Sequence, residues 1–173
     1  MKSRSVASAE VTPQLFAESE ANLVAFGRRL ARLISQHDRG AIILLEGELG
    51  AGKTTLARGY LRCLGHRGAV KSPTFTLVES YEILGKTIHH IDLYRLSGSE
   101  DLEFIGFEDY FSATADLLIE WPDKVPWLAD LADVLVSLSY HNGGRNVRIS
   151  FPNDRWDDQE KINLISNLEH DPK

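Results

Sequence analysis

The chain has 173 residues, 43% of them hydrophobic and 25% charged, which is ordinary for a globular domain and argues against wholesale disorder. The formal net charge of -6 argues against a dedicated nucleic-acid-binding protein, which would carry a basic surplus, although it leaves room for a local basic patch. One cysteine, Cys63, excludes an internal disulfide, and the lack of a signal-peptide pattern or of a run of about 20 apolar residues predicts a cytoplasmic protein without a membrane span.

The first part of the chain shows a buried strand between two helices. The predicted elements are, in chain order, a loose lead-in over 1–13, a helix over 19–37, a strand over 41–45 and a helix over 54–64. Apolar residues recur at helical spacing in 19–37, and Ser19 is a suitable N-cap. The run AIILL over 41–45 is continuously apolar and bounded by glycines, as expected for a strand that is buried on both faces of a sheet.

The remainder of the chain contains two predicted hairpins and a second buried strand. The elements are strands over 75–83 and 87–93, a mostly helical segment over 99–111 broken at Gly106, strands over 117–119, 134–140 and 147–151, and a terminal helix over 154–169 within the tail 154–173. Leu84-Gly85-Lys86 and Asn142-Gly143-Gly144 are the hairpin signals. Helices that alternate with buried strands predict an α/β fold with helices on both faces of a sheet, and the hairpins make that sheet mixed. We expect one domain over residues 1–173.

A phosphate-binding loop lies between the first buried strand and its following helix. The segment GELGAGKT over 47–54 fits the Walker A pattern G-x-x-x-x-G-K-[ST]. Its glycines leave room beside phosphate oxygens, and its backbone N–H groups form an anion site at the positive end of the helix dipole. We expect Lys53 to face solvent and to contact the β- and γ-phosphates, and the Thr54 hydroxyl to bind Mg²⁺. The fold is therefore predicted to be a three-layer P-loop NTPase domain. The predicted nucleotide-binding residues of the loop are Glu48, Leu49, Gly50, Ala51, Gly52, Lys53, Thr54 and Thr55.

Two acidic residues at strand ends are candidates for the metal side of this site. Glu120 ends the apolar run over 117–119, and Asp92 lies at the end of the second strand of the first hairpin. In P-loop enzymes such a carboxylate holds the magnesium shell or orients water. Each could instead be a surface carboxylate at a strand end. The presence of the phosphate loop favours a role at the metal side for both residues, and for Glu120 somewhat more than for Asp92.

Other candidates are less specific. The loop Lys71-Ser72-Pro73-Thr74 follows the P-loop helix at a distance typical of a segment that senses the γ-phosphate, so Ser72 and Thr74 could meet phosphate, although an ordinary capped turn has the same composition. Arg145 follows the second hairpin turn and could be a surface arginine or reach the nucleotide. Trp121 could pack under a loop or lie beside the site. The adjacent His89 and His90 lie on opposite faces of a strand, which argues against a shared metal site.

Four segments together resemble the bacterial TsaE family. They are GELGAGKTT over 47–55, VKSPTFTLVE over 70–79, HIDLYRL over 90–96 and LIEWP over 118–122, in that order. The segment EFIGFEDYF over 103–111 also resembles the family's helical segment. The Walker A motif alone does not identify the family, whereas its combination with the other three segments is specific.

The family consists of ATPases of tRNA threonylcarbamoyladenosine biosynthesis. The resemblance implies weak hydrolysis of ATP to ADP by the chain alone, and activation by a heterodimer of the threonylcarbamoyl transferase and its paralogue, whose turnover it would sustain. Contact with tRNA would be indirect or weak. The implied roles are phosphate binding by Lys53, Mg²⁺ binding by Thr54 and Glu120, support of hydrolysis by Asp92, a switch loop containing Ser72 and Thr74, and an approach to the nucleotide by Glu20 and Arg145. The tail 154–173 has no counterpart in the resemblance.

Two rival functions suit a P-loop domain of this size. A small nucleoside or nucleotide kinase would share the loop, and the Asp92–Arg95 run loosely resembles an acceptor-binding element, but an arginine-rich lid is missing from the sequence between the strands. A non-enzymatic, GTPase-like switch would read guanine through an Asn-Lys-x-Asp motif and carry an Asp-x-x-Gly motif, and the sequence has neither.

Overall fold

A computed structural model of the protein describes residues 14–104, 106–153 and 155–169. The strands are β1 (Leu15–Ala17), β2 (Ile42–Gly47), β3 (Val78–Ile83), β4 (Lys86–Asp92), β5 (Asp116–Glu120), β6 (Val134–His141) and β7 (Gly144–Ser150). The helices are α1 (Glu20–Ile34), α2 (Lys53–Leu64), α3 (Asp101–Phe104), α4 (Leu128–Leu131) and α5 (Asp158–Glu169), with 3₁₀ turns over Phe107–Tyr110 and Pro122–Lys124. The predicted lead-in over 1–13 and the last residues of the tail, 170–173, lie outside the described residues.

The strands form one seven-stranded sheet in the order β1-β7-β6-β2-β5-β4-β3. Strand β2 pairs in parallel with both β5 and β6, β4 pairs in parallel with β5, and the β3–β4, β6–β7 and β1–β7 pairs are antiparallel. The predicted α/β fold with a mixed sheet is confirmed. Because β2, β4 and β5 run in the same direction, their carboxyl ends meet at one edge of the sheet, where Asp92 is the cross-strand partner of Glu120.

Both faces of the sheet are covered. Side chains of β2 alternate between two cores: Ile43 and Leu45 pack on the side that includes residues of α1, α2 and α5, and Leu44 packs on the side with α3 and α4. Helices α1 and α2 cross closely, since a Cβ at Gly27 would lie 2.1 Å from the Leu56 carbonyl oxygen. The P-loop helix is thereby held against α1 as well as against the sheet.

Several boundaries differ from the predicted ones. The strand predicted over 75–83 begins only at Val78, because the preceding residues form a turn in which the Leu77 N–H donates to the Pro73 carbonyl. The short elements β1 and α4 have no sequence pattern that predicts them. The terminal helix begins at Asp158 rather than at 154. The break at Gly106 is confirmed by its φ of +61°, which separates α3 from the 3₁₀ turn.

Both hairpin predictions are confirmed. The central turn residues, Leu84 with Gly85 and Asn142 with Gly143, all have positive φ, as expected for two-residue hairpin turns of type I′. None of the helices in the described part of the chain is both long and apolar enough to cross a membrane. The organisation as one domain over 1–173 and the cytoplasmic location stay predictions.

Candidate active site

The phosphate-binding loop connects the end of β2 to the start of α2. Gly47, Gly50 and Gly52 have φ values of +142°, +75° and +111°, which side-chain-bearing residues rarely adopt. Gly52 is the N-cap of α2 and no side chain caps it, so the helix presents its first backbone N–H groups to the loop interior. The sequence motif thus forms the anion-binding geometry that its residue types require.

Lys53 is held inside this loop. Its ammonium donates to the carbonyl oxygens of Gly47 and Glu48, at 2.5 and 2.9 Å, and lies 3.7 Å from the centre of the Trp121 ring. Burial lowers the pKa of this ammonium, and the carboxylate charge of Glu120 opposes the shift. Lys53 is only 4% exposed, so the expectation of a solvent-facing lysine is wrong. Trp121 lies beside the site, which was one of its two predicted positions.

Glu120 links the P-loop helix to β4. Its Oε1 accepts a hydrogen bond from the Thr54 hydroxyl at 2.8 Å and lies 2.8 Å from His90 Nε2. His90 is fully buried, and its Nδ1 has no hydrogen-bond partner among the described residues. His90 was not among the predicted site residues. The signal that would have found it is its position two residues before Asp92, on the same face of β4.

Asp92 holds the predicted switch loop. Its Oδ2 accepts hydrogen bonds from the hydroxyls of both Ser72 and Thr74, the latter at 2.8 Å, and its Oδ1 accepts from the Tyr94 N–H at 2.9 Å. The two hydroxyls also lie 2.8 Å apart. We call the side chains at this end of the sheet the strand-end cluster. Its members are Ser72, Thr74, His90, Asp92 and Glu120.

A cavity of about 280 Å³ joins the loop to this cluster. It is lined by Leu49, Gly50, Gly52, Lys53, Thr54, Thr55, Ser72, Thr74, Asp92, Tyr94, Glu120 and Trp121. The structure therefore brings together the residues predicted for phosphate, for metal and for the switch. A larger cavity of about 470 Å³, near Leu102 and Trp127, is lined by none of the predicted site residues.

Glu20 and Arg145 lie on the other flank of the loop. They line a separate cavity of about 300 Å³, together with Gly50, Gly52 and Thr55. The Glu20 carboxylate pairs with Arg58 at 2.6 Å. The Arg145 guanidinium points at the loop backbone, donating from Nε to the Ala51 carbonyl at 3.1 Å. The approach of these two residues to a nucleotide stays a prediction.

The donor set beside Thr54 suits magnesium. Mg²⁺ prefers oxygen ligands and in nucleotide sites takes one or two protein ligands, completing its shell with phosphate oxygens and water. The Thr54 hydroxyl and the Glu120 carboxylate are such a pair, and both line the cavity. The residues described by the structure contain no cluster of three or more His, Cys, Asp or Glu that could hold a metal by itself. The two oxygen ligands fit the protein's share of a magnesium shell that a nucleotide would complete.

Comparisons with known proteins extend these observations. Residues 17–148 match the family profile described as threonylcarbamoyl adenosine biosynthesis protein TsaE. The chain is 48% identical over 132 residues to the tRNA threonylcarbamoyladenosine biosynthesis protein TsaE of Haemophilus influenzae, covering 75% of this chain and 84% of the relative. It is 33% identical over 147 residues to the protein of the same description from Rickettsia conorii, covering 84% of this chain and 83% of that relative. The crystal structure of Bacillus subtilis YdiB superposes with a TM-score of 0.63 at 20% identity, over 88% of this chain and 93% of that one, a likeness that concerns the fold alone.

Proposed function

Because the chain belongs to the TsaE family of tRNA threonylcarbamoyladenosine biosynthesis proteins, we propose that it binds and hydrolyses Mg·ATP in support of that modification. The family predicted from the sequence is confirmed by the profile match and by the identity to curated relatives. The observation that carries the proposed activity is the cavity in which the ammonium of Lys53, the hydroxyl of Thr54 and the carboxylates of Asp92 and Glu120 converge.

In this proposal the loop and Lys53 hold the phosphates. The backbone N–H groups at the start of α2 would bind phosphate oxygens, and Lys53 would exchange the carbonyl oxygens of Gly47 and Glu48 for the β- and γ-phosphates. Thr54 and Glu120 would hold the magnesium ion, which neutralises charge on those phosphates when it is bound. The cavity beside Glu20 and Arg145 would take the ribose and base, and its volume of about 300 Å³ suits a ligand of that size.

The hydrogen bonds of Asp92 are a reason to expect slow hydrolysis by the chain alone. If Asp92 orients the attacking water, its Oδ2 must be accessible, yet that oxygen accepts from both Ser72 and Thr74. A rearrangement of the switch loop would have to release Asp92 before it can act. We propose that the threonylcarbamoyl transferase heterodimer, as the partner, favours that rearrangement and thereby accelerates turnover to ADP, while tRNA contacts this chain weakly or not at all.

The first test is nucleotide binding by wild type and Lys53→Ala. Mg·ATP and Mg·ADP should raise the melting temperature of the wild type, whereas Lys53→Ala should bind Mg·ATP about 10- to 100-fold more weakly, since a hydrogen bond to a charged group contributes about 1.5–3 kcal/mol. Lys161→Ala, on α5, is the matched control and should bind like the wild type. An unchanged thermal shift in Lys53→Ala would contradict the assignment of the P-loop. Synergy between ATP and one nucleoside or nucleotide would indicate the kinase instead.

The second test measures the partner. Hydrolysis by the purified chain should be slow, and addition of the transferase heterodimer should raise the ATPase rate and the yield of modified tRNA together. The Lys53→Ala variant should lose both effects. Fast hydrolysis by the chain alone that does not change with the heterodimer would indicate a free-standing enzyme.

A further inference from the structure

The outer surface of the phosphate-binding loop carries backbone carbonyl groups whose partners come from elsewhere in the fold. A loop that turns its N–H groups toward phosphate turns many of its carbonyl oxygens away from it, and each needs a hydrogen-bond donor. Three consecutive carbonyl oxygens have such donors. The Tyr140 hydroxyl donates to the Leu49 carbonyl at 3.0 Å, and Arg145 donates to those of Gly50 and Ala51 at 3.3 and 3.1 Å.

Tyr140 and Arg145 form one unit, which we call the hairpin clamp. They are directly opposite each other on the β6–β7 hairpin, so their side chains share one face of the sheet. The Arg145 guanidinium carbon lies 4.0 Å from the centre of the Tyr140 ring, and Nη1 donates to the Gly144 carbonyl at 2.9 Å. These contacts fix the planar guanidinium so that Nε and Nη2 both face the loop.

The loop fits closely against this unit. A Cβ at Gly50 would lie 2.7 Å from the Tyr140 hydroxyl oxygen, and a Cβ at Gly47 would lie 2.4 Å from the Leu138 carbonyl oxygen of the same strand. Gly47 is therefore required by the hairpin backbone on the outside of the loop, and Gly50 leaves space for the Tyr140 hydroxyl. Any displacement of the hairpin would be transmitted to the loop backbone.

We propose that the hairpin clamp positions the phosphate-binding loop by donating to its carbonyl oxygens. Arg145 lines the cavity proposed for the ribose and base, but it acts on binding through the loop rather than through a hydrogen bond to the nucleoside. This inference rests on the proposed nucleotide binding. A carbonyl that accepts a hydrogen bond polarises its peptide group, which strengthens the adjacent N–H as a donor. A loop that is fixed in advance also loses less conformational entropy when phosphate binds. Both effects concern the phosphates that ATP, ADP and inorganic triphosphate share.

The test compares two ligands, Mg·ATP and inorganic Mg·triphosphate, by calorimetric titration of the full chain. Tyr140→Phe removes one neutral hydrogen bond and should weaken both ligands by about 2- to 10-fold. Arg145→Gln should weaken both by about 10-fold or more. Arg145→Lys should recover little, because an ammonium cannot reproduce the two-pronged contact. Tyr110→Phe and Arg148→Gln are matched controls on the 3₁₀ turn and on β7, and they should bind like the wild type.

Each other outcome overturns the inference. A loss of affinity that is confined to Mg·ATP would mean that Arg145 contacts the nucleoside. Full recovery in Arg145→Lys would reduce its role to charge, and an unchanged affinity for both ligands, with or without a lower melting temperature, would reduce the clamp to a structural contact. A wild type that binds neither ligand would instead contradict the proposed function itself.

Discussion

The strand-end cluster and the hairpin clamp lie against the same phosphate-binding loop but bond in different ways. In the strand-end cluster, side chains bond to other side chains. Glu120 accepts a hydrogen bond from Thr54, and Asp92 accepts one from Thr74. In the hairpin clamp, side chains bond to the loop backbone. Side-chain pairs can exchange partners when a ligand arrives, whereas backbone contacts of this kind hold a shape. We therefore expect chemistry on the flank of the strand-end cluster and positioning on the flank of the hairpin clamp.

The exchange of partners is specific to the strand-end cluster. Glu120 and Asp92 each accept hydrogen bonds from hydroxyl groups that they would give up for metal or water. Substitutions in the cluster should therefore alter turnover or the magnesium requirement more than the affinity for the phosphates. Substitutions in the clamp should do the reverse.

The largest effect is expected for Asp92→Asn. The amide keeps the shape of the side chain, but its nitrogen cannot accept hydrogen bonds from Ser72 and Thr74, and it has no charge with which to orient water. Turnover in the presence of the heterodimer should fall by roughly 10²- to 10⁴-fold. The dissociation constant of Mg·ATP should change little. Asp130→Asn, at an exposed position of α4, is the control. Lost binding with normal turnover would exchange the roles of Asp92 and Glu120.

Glu120→Gln should act mainly on the metal. Removal of the carboxylate charge next to Thr54 should raise the Mg²⁺ concentration for half-maximal nucleotide binding by roughly 100-fold. The experiment is a magnesium titration at fixed ATP, followed by thermal shift, with a parallel series of nucleotide without metal. Weak binding in both series would mean that Glu120 supports the loop rather than the metal, and it would remove the distinction between the two flanks.

The switch loop provides a smaller effect. Ser72→Ala combined with Thr74→Ala removes both hydroxyl donors to Asp92, so the bonds that must break in the proposed rearrangement are already absent. Because these bonds withhold Asp92 in the isolated chain, basal hydrolysis should rise, and the stimulation of ATPase activity by the heterodimer should fall by about tenfold. Ser80→Ala, on the exposed β3, is the control. Undiminished stimulation would exclude these hydroxyls from the response to the partner.

Sequence patterns predicted those parts of the site that local chemistry determines. The Walker A motif specifies a loop of glycines before a helix, and parallel strands bring their carboxyl ends together, so it could be predicted that Lys53, Thr54 and Glu120 lie at one site. The burial of Lys53 and the place of His90 depend on contacts between elements far apart in sequence. No local pattern predicts that β6 and β7 contact the outer surface of the phosphate-binding loop. The hairpin clamp was therefore visible only as an isolated Arg145.

His90 gives the smallest of the expected effects and the sharpest test of whether the strand-end cluster acts as a unit. Its Nε2 is 2.8 Å from Glu120 Oε1, the oxygen that also accepts from Thr54. His90→Leu fills this fully buried position with an apolar side chain and removes one hydrogen bond. The Mg²⁺ concentration required for nucleotide binding should therefore rise by about 2- to 10-fold, less than in Glu120→Gln. His90→Gln places an amide nitrogen where Nε2 lies and should restore the requirement if the role of His90 is to orient Glu120. A lower melting temperature in both variants with an unchanged Mg²⁺ requirement would make His90 a packing residue and limit the cluster to its carboxylates and hydroxyls.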